Sequence, residues 1–127
     1  IKTMEPLRVL ETSYSPEINL DKDRNRFEFI GKSFPEDVKE FYDPIIAWFK
    51  EYVAEPNRET IVLFKLEYFN TASSKKLVDI LTVLQEIHKQ RKTVIIHWYY
   101  RTNDDDMMES GETFAEIVGL PFKYFPY

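Results

Sequence analysis

The segment TIVLFKLEYFNTASSKKLVDILTVLQEIHKQRKTVIIHWYY, residues 60–100, decides the fold. Its two ends, Thr60 to Phe69 and Thr93 to Tyr100, are rich in branched and aromatic residues, which is typical of β-strands. The stretch between them predicts a helix to about residue 90, because apolar residues recur there every three or four positions: Leu77, Leu81, Leu84 and Ile87. The order strand, helix, strand predicts that the two strands pair in parallel through a right-handed crossover.

The second of these strands is apolar on both faces, as expected of a strand buried between two layers. His97 lies within it, and His88 lies late in the preceding helix. Neither histidine has HExxH spacing or a nearby Ser or Cys with which to build a recognisable triad. We therefore interpret both as structural.

The residues before this segment predict three short strands and a helix. Apolar and polar residues alternate in Leu7 to Leu10, Glu17 to Leu20 and Phe27 to Ile30, which indicates an antiparallel set of strands. Ser33-Phe34-Pro35-Glu36 then has the form of a capping box, so a helix is expected to begin there and to run to about Val53.

The residues after the segment predict a third helix and an edge strand. Asp104-Asp105-Asp106 offers N-caps, Gly119 and Pro121 end the helix, and Phe122 to Phe125 forms the strand. The fold class is therefore α/β, with N-terminal antiparallel strands, a parallel βαβ crossover and about three helices. Residues 4–127 are expected to form a single domain. Ile1-Lys2-Thr3 precede Met4, and we expect them to be vector-derived or disordered.

Composition excludes several classes of function. Lys and Arg number 17 against 22 for Asp and Glu, and the net charge of -5 opposes general binding to nucleic acid or to an anionic membrane. The chain has no cysteine, which removes disulfides and thiolate nucleophiles and fits a reducing compartment. No apolar run approaches the roughly 20 residues of a membrane span. We expect a cytoplasmic protein.

The segment from Phe69 to Lys76 is the strongest candidate site, because it joins the carboxyl end of a predicted central strand to the start of a helix. Unpaired backbone N–H groups and the positive end of the helix dipole favour an anion there, such as a phosphate attached to Thr71. On residue types alone, simple N-capping by Thr71 or Ser73 is the favoured interpretation, and it is compatible with phosphorylation. The segment has no glycine and no GxxxxGK[ST] pattern, so a nucleotide-cradling loop is not expected.

Two further groups of side chains are candidates for function. Asp104, Asp105 and Asp106 could hold Mg²⁺, although three adjacent acids point in different directions, and a solvated capping loop explains them better. Late aromatic residues could form a partner surface, although aromatic strand residues usually belong to the core: Tyr99, Tyr100, Tyr124, Phe125 and Tyr127. The sequence contains no recognisable catalytic set and predicts no cofactor.

Nearly the whole chain resembles the SiaC family of bacterial regulatory phosphoproteins. The segment Tyr68 to Lys75, with Asn70-Thr71-Ala72-Ser73-Ser74 at its centre, is the most specific part of this resemblance. The other matching segments are Met4 to Leu7, Thr12 to Glu17, Gly31 to Glu36, Phe41 to Pro44, Trp98 to Tyr100 and Gly111-Glu112.

The resemblance implies a fold similar to the STAS domain of anti-sigma-factor antagonists and a role as a switch without catalysis. It implies that a GHKL-type kinase phosphorylates Thr71, with Ser73 and Ser74 as alternative acceptors, and that a PP2C-like phosphatase reverses the reaction. It also implies that the unphosphorylated form binds a diguanylate cyclase in a cyclic-di-GMP pathway that governs biofilm formation. Residues 70–75 would contact partners, and Lys75 would neutralise the phosphate or contact the kinase. The alternative is a small metal-dependent enzyme or a ligand-binding domain that uses the Asp104-Asp106 loop.

Overall fold

A computed structural model describes residues 3–127 of the chain, so the expectation for Ile1 and Lys2 lies outside the described residues. That part of the chain contains a six-stranded sheet and three helices. In chain order the elements are β1 (Leu7–Val9), β2 (Glu17–Asp21), β3 (Arg26–Ser33), α1 (Val38–Tyr52), β4 (Glu59–Phe69), α2 (Thr71–Lys89), β5 (Thr93–Tyr100), α3 (Asp105–Val118) and β6 (Phe122–Pro126).

The strands lie in the sheet in the same order as in the chain. β1, β2 and β3 pair antiparallel, whereas β3, β4, β5 and β6 pair parallel. The predicted mixed sheet is confirmed, and its parallel part contains three crossovers, through α1, α2 and α3. Right-handed crossovers that always advance toward the same edge place their helices on one face of the sheet. In agreement, α1 packs against α2 and α2 packs against α3.

The core lies between the helices and one face of the sheet. Trp98 is buried near its centre, and its Nε1 donates a hydrogen bond to the carbonyl of Met107 in α3 at 2.8 Å. The rings of Phe29 and Phe64 stack at 4.6 Å between centroids. Burial of such side chains contributes about 2–3 kcal/mol each, which makes this face the main source of stability. Other fully buried core residues are Ile18, Leu20, Phe27, Tyr42, Phe49, Tyr52, Leu77, Ile80 and Ile96.

The prediction that β5 lies between two layers is wrong. Val94, Ile96 and Trp98 face the core, but the side chains that alternate with them, including Ile95 and His97, are only partly buried on the opposite face. Because the helices that contact the sheet share the other face, no layer of residues 3–127 covers this one.

Helix α1 begins later than the capping-box pattern predicts. Strand β3 continues through Ser33, and the N-cap of α1 is Asp37, whose Oδ1 accepts a hydrogen bond from the backbone N–H of Glu40 at 3.0 Å. Ser33 is fully buried and its hydroxyl bonds to side chains of two helices, so tertiary contacts override the local capping signal.

Helix α3 has the predicted ends. Asp104 is its N-cap, with Oδ1 accepting from the backbone N–H of Met107 at 3.0 Å, and Gly119 ends it in the left-handed region at φ 68°. The expected edge strand follows as β6 and pairs parallel with β5. None of the helices in residues 3–127 is long and apolar enough to cross a membrane.

Candidate functional site

The candidate site lies where the central strand β4 ends and α2 begins. Asn70 takes an extended conformation there and is the N-cap of α2. Its Oδ1 accepts from the backbone N–H of Ser73 at 2.8 Å, and its own N–H donates to the carbonyl of Ser33 at 3.0 Å. The cap is therefore neither Thr71 nor Ser73, the two residues weighed for that role from the sequence.

Thr71 is the first residue of α2 and its side chain is exposed. Among the described residues, no hydrogen bond to the Thr71 hydroxyl is formed, and Asn70 carries out the capping that this hydroxyl could have provided. Helix geometry also leaves the backbone N–H groups of Thr71 and Ala72 without partners inside the helix. A free hydroxyl thus lies beside two free amide donors and the positive end of a long helix.

Ser73 lies in a different environment, although it is only two residues away. It is fully buried, and its hydroxyl donates to the carbonyl of Ser33 at 3.0 Å. The Ser33 hydroxyl donates in turn to Ser73 Oγ at 2.9 Å, so the hydroxyl of Tyr42 must donate to Ser33 Oγ, at 2.5 Å. This chain of hydroxyls connects α1, β3 and the first turn of α2, and it fixes where that turn lies.

Tyr42 is the buried end of the hydroxyl chain. Burial raises the pKa of its phenol from 10.0 to about 12, while hydrogen bonds with Ser33 and Ser73 oppose the rise. The folded protein therefore favours the neutral phenol, and the stability that this provides is complete below pH 10 and is lost as the pH rises toward 12. A difference of about two units between the pKa of Tyr42 in the folded and in the unfolded protein corresponds to about 3 kcal/mol of unfolding free energy.

Replacement of Tyr42 by Phe is expected to lower the free energy of unfolding by about 1–2 kcal/mol at pH 7, because Ser33 Oγ loses its donor. At high pH Tyr42→Phe becomes the more stable of the two proteins, because it has no buried phenol to ionise. The two curves of unfolding free energy against pH therefore cross between about pH 10 and 12. Urea unfolding measured from pH 7 to 11.5 checks this. Tyr68→Phe, which removes the hydroxyl of an exposed tyrosine, is the control and should follow the unmodified protein.

A surface ion-pair network connects the same two helices. Asp43 in α1 binds Lys39 Nζ at 2.5 Å and Lys76 Nζ of α2 at 3.4 Å. The hydrogen bond from Lys39 is the main reason why the pKa of Asp43 lies below its usual value, and the same bond raises the pKa of Lys39. Lys75, in contrast, is exposed at the start of α2, with no ion pair within residues 3–127.

Ser74, the other alternative acceptor, is partly exposed. Its hydroxyl donates to the backbone carbonyl of Thr71 at 2.7 Å. The predicted segment therefore separates into an exposed part, with Thr71, Ala72 and Lys75, and a part that is bonded into the protein, with Asn70 and Ser73.

Three exposed aromatic side chains lie in or near this segment, and the residue pattern alone does not identify them. Phe34 and Tyr68 are 40% and 50% exposed, and their rings meet edge to face at 5.8 Å. Tyr14 is 49% exposed, and its carbonyl accepts from the backbone N–H of Phe34 at 2.8 Å. We call these three residues the aromatic rim. Each belongs to a segment of the family resemblance, which was the signal available in the sequence.

The acidic loop lies at the start of α3. Asp104 is committed to capping α3, and Asp105 and Asp106 are exposed in the first helical turn. In residues 3–127, no group of three or more Asp, Glu or His side chains is arranged to hold a metal ion. The loop is therefore a helix cap.

This mixed α/β arrangement, with an exposed hydroxyl at the start of its central helix, is also that of a family of regulatory proteins. Residues 9–127 match the sequence profile of the SiaC family of regulatory phosphoproteins, and the chain belongs to that family. It is also 31% identical over 119 residues to an uncharacterized protein of Pseudomonas aeruginosa (strain UCBPP-PA14), with 94% of each chain covered.

Two solved structures agree with this assignment. The chain superposes on apo-SiaC from Pseudomonas aeruginosa with a TM-score of 0.88, at 30% identity, with 96% of this chain and 99% of the other covered. It superposes with a TM-score of 0.89, also at 30% identity, on SiaC from a complex with the diguanylate cyclase SiaD, which SiaC activates; 95% and 99% of the chains are covered.

Proposed function

We propose that this protein is a non-catalytic activator of a diguanylate cyclase, and that phosphorylation of Thr71 by a GHKL-type kinase switches it off. A PP2C-like phosphatase restores the active form. The observation that carries the proposal is the exposed, unbonded hydroxyl of Thr71 at the start of α2, in a chain whose relative SiaC activates a cyclase.

The choice of Thr71 among neighbouring hydroxyls rests on burial and bonding. A kinase needs the hydroxyl oxygen to reach the γ-phosphate of ATP. Thr71 offers such an oxygen, whereas Ser73 is fully buried with its hydroxyl bonded on both sides. Ser74 is intermediate in accessibility, since its hydroxyl donates a hydrogen bond to the Thr71 carbonyl. The structure thus favours Thr71 over Ser74, and Ser74 over Ser73.

A phosphate at Thr71 would find stabilising groups within its own helix. The N–H groups of Thr71 and Ala72 and the helix dipole favour a charge of about -1.5 to -2. The ammonium group of Lys75, one turn further along, is exposed and can approach the phosphate. These groups allow the helix to accept the modification without unfolding.

The aromatic rim supports a role for this region in partner binding. Exposed aromatic side chains supply much of the energy of protein interfaces. Phe34 and Tyr68 are in ring contact beside the start of α2, and Tyr14 is bonded through its backbone to Phe34. We propose that the cyclase contacts the aromatic rim and residues 70–75. A phosphate at Thr71 then introduces a desolvation cost and a steric obstacle inside the interface.

Phosphate transfer from the cognate kinase and ATP tests the acceptor. We expect unmodified protein, Ser73→Ala and Ser74→Ala to gain the mass of one phosphate, and Thr71→Ala to gain none. The modified peptide should map to residues 69–76, with the phosphate on Thr71. If Thr71→Ala still takes up one phosphate at the rate of the unmodified protein, Thr71 is not the acceptor.

A further inference from the structure

The sheet face opposite the helices is uncovered, and the proposed role of Thr71 does not explain this. Six of its side chains are apolar or aromatic and only partly buried, with Lys65 and His97 among them, and none of the six belongs to the core or packs against it. Sheets of parallel strands usually have both faces covered. The residues are Ile30 on β3, Ile61 and Leu63 on β4, Ile95 and Tyr99 on β5, and Phe125 on β6.

Strand register arranges this face in three rows across β3 to β6. The first row contains Glu28, Leu63, His97 and Lys123. The second joins two paired sets, Ile30 with Lys65 and Tyr99 with Phe125, which lie side by side just beyond the last β4–β5 pair, Phe64 with Trp98. Ile61 and Ile95 form the third row. Lys65 Nζ lies 5.9 Å from the ring centroid of Tyr99 in the second row and 4.6 Å from the ring centroid of Tyr127, which follows β6. We call the ten row residues the open face.

We propose that the open face is the interface of a homodimer, with its two-fold axis parallel to the strands and between β4 and β5. Such an axis keeps each row opposite itself and reverses its order. Leu63 then lies over His97 of the second copy, and Ile61 lies over Ile95 of the second copy. Two sheets packed in this way, about 10 Å apart, form a β-sandwich.

The charges of the first row support a second copy as the occupant. Lys123 lies at one end and forms no ion pair within residues 3–127. The pKa of His97 is lowered mainly by burial and, to a smaller extent, by the positive charge of Lys123. Glu28 lies at the other end, three strands and about 14 Å away within one chain, where it already binds Arg26 Nε at 2.9 Å, so Lys123 of a second copy would join an existing ion pair. Reversal of the row brings Glu28 of each copy opposite Lys123 of the other, at both ends of the interface.

The other rows are complementary under the same rotation. Ile30 meets Phe125 of the second copy, an aliphatic side chain against an aromatic ring. Lys65, which already lies over the ring of Tyr99 in its own chain, meets Tyr99 of the second copy, so the cation remains among aromatic faces. An isologous interface requires this kind of self-complementarity in each row.

The size of the open face determines how tight the dimer is. Four strands and three rows span about 20 by 20 Å, or roughly 400 Å² of flat surface per chain, which is about half of what each partner contributes to a stable interface and is typical of weak, transient association. We therefore expect reversible association, with a dissociation constant on the order of 10–100 µM. The residues of the site around Thr71 lie at the helix side of the sheet, so dimerisation leaves that site free on both copies.

Sedimentation velocity from about 5 to 500 µM tests the dimer. The sedimentation coefficient of the unmodified chain should rise from the monomer toward the dimer value. Lys123→Glu and Glu28→Lys should each weaken association at least tenfold, because like charges then meet at both ends. The double variant should recover to within about threefold of the unmodified chain. Lys50→Glu, an equal charge change on α1, should have no effect.

A cross-linking measurement does not depend on these charge variants. The chain has no cysteine, so Glu28→Cys and Lys123→Cys proteins carry one thiol each. A bismaleimide that spans about 8 Å should join the two proteins when they are mixed, and should join neither to itself, since the same residue in two copies stays more than about 14 Å apart.

A chain that remains monomeric to 500 µM would overturn the proposal. So would a double charge variant that associates no better than the single variants, or mixed cysteine proteins that fail to cross-link. These results would leave the role of Thr71 untouched, because the phosphate-transfer experiment uses neither Glu28 nor Lys123. If Leu63→Lys instead removed cyclase binding from a monomeric chain, the open face would be a cyclase interface and the homodimer would be excluded.

Discussion

Replacement of Thr71 by Asp is expected to weaken binding of the cyclase about 100-fold, a loss of about 3 kcal/mol. The carboxylate occupies the start of α2, where the helix dipole stabilises it, so the fold is retained. The loss arises because a charge in the centre of an interface must be desolvated against the partner. The phosphorylated protein should lose at least as much affinity, since a phosphate carries more charge than Asp.

Two variants separate this effect from general damage. Thr71→Ala should bind normally, because among the described residues no hydrogen bond holds the Thr71 hydroxyl. Thr82→Asp places the same charge on the exposed surface of the same helix, about 16 Å further along, and should also bind normally. Isothermal titration with the cyclase, followed by cyclic-di-GMP synthesis, measures both affinity and activation. Equal binding of Thr71→Asp and unmodified protein would refute the switch.

Replacement of Gly111 by Ala is expected to lower the free energy of unfolding by about 2–3 kcal/mol. In an open helix this change would stabilise by about 1 kcal/mol. Here a Cβ at Gly111 would lie 2.5 Å from Cδ1 and 2.6 Å from Nε1 of Trp98. The indole cannot move aside, because Phe64 and Phe114 pack against it and its Nε1 is bonded to α3. Overpacking and loss of that hydrogen bond outweigh the gain in propensity.

Gly119→Ala is the matched control. An added Cβ at Gly119 meets no atom within 4 Å, but φ is 68°, so the substitution should cost only about 1 kcal/mol of backbone strain. Urea unfolding followed by tryptophan fluorescence measures both variants. A Gly111→Ala protein as stable as the unmodified chain would mean that the indole ring shifts freely, contrary to its packing here.

The parts of the fold that sequence predicted well are those that short-range patterns specify. The apolar runs of β4 and β5 and the spacing of Leu77, Leu81 and Leu84 depend on neighbouring residues alone. The uncovered face of β5 was missed for a different reason. Whether that face is covered depends on the order of the strands in the sheet, because this order places every helix on the same side. No local sequence pattern specifies the strand order.

The candidate site shows the same division. The hydroxyl-rich start of α2 was visible in the sequence, but Asn70, Thr71 and Ser73 are all acceptable caps. The cap is decided by where β4 ends, because Asn70 keeps the extended conformation of the strand and turns its side chain toward the first helical turn. The aromatic rim was missed because Tyr14, Phe34 and Tyr68 come from three separate segments that only the folded chain brings together.

The order of the strands also has a consequence for how the protein is made. Each strand from β2 to β6 joins the edge formed by the strand immediately before it in the chain. A nascent chain that leaves the ribosome from its amino end can therefore extend the sheet one strand at a time, without leaving a gap for a later segment. We expect amide exchange in stalled chains to show protection that advances in the order of synthesis, from the β2–β3 hairpin toward β6.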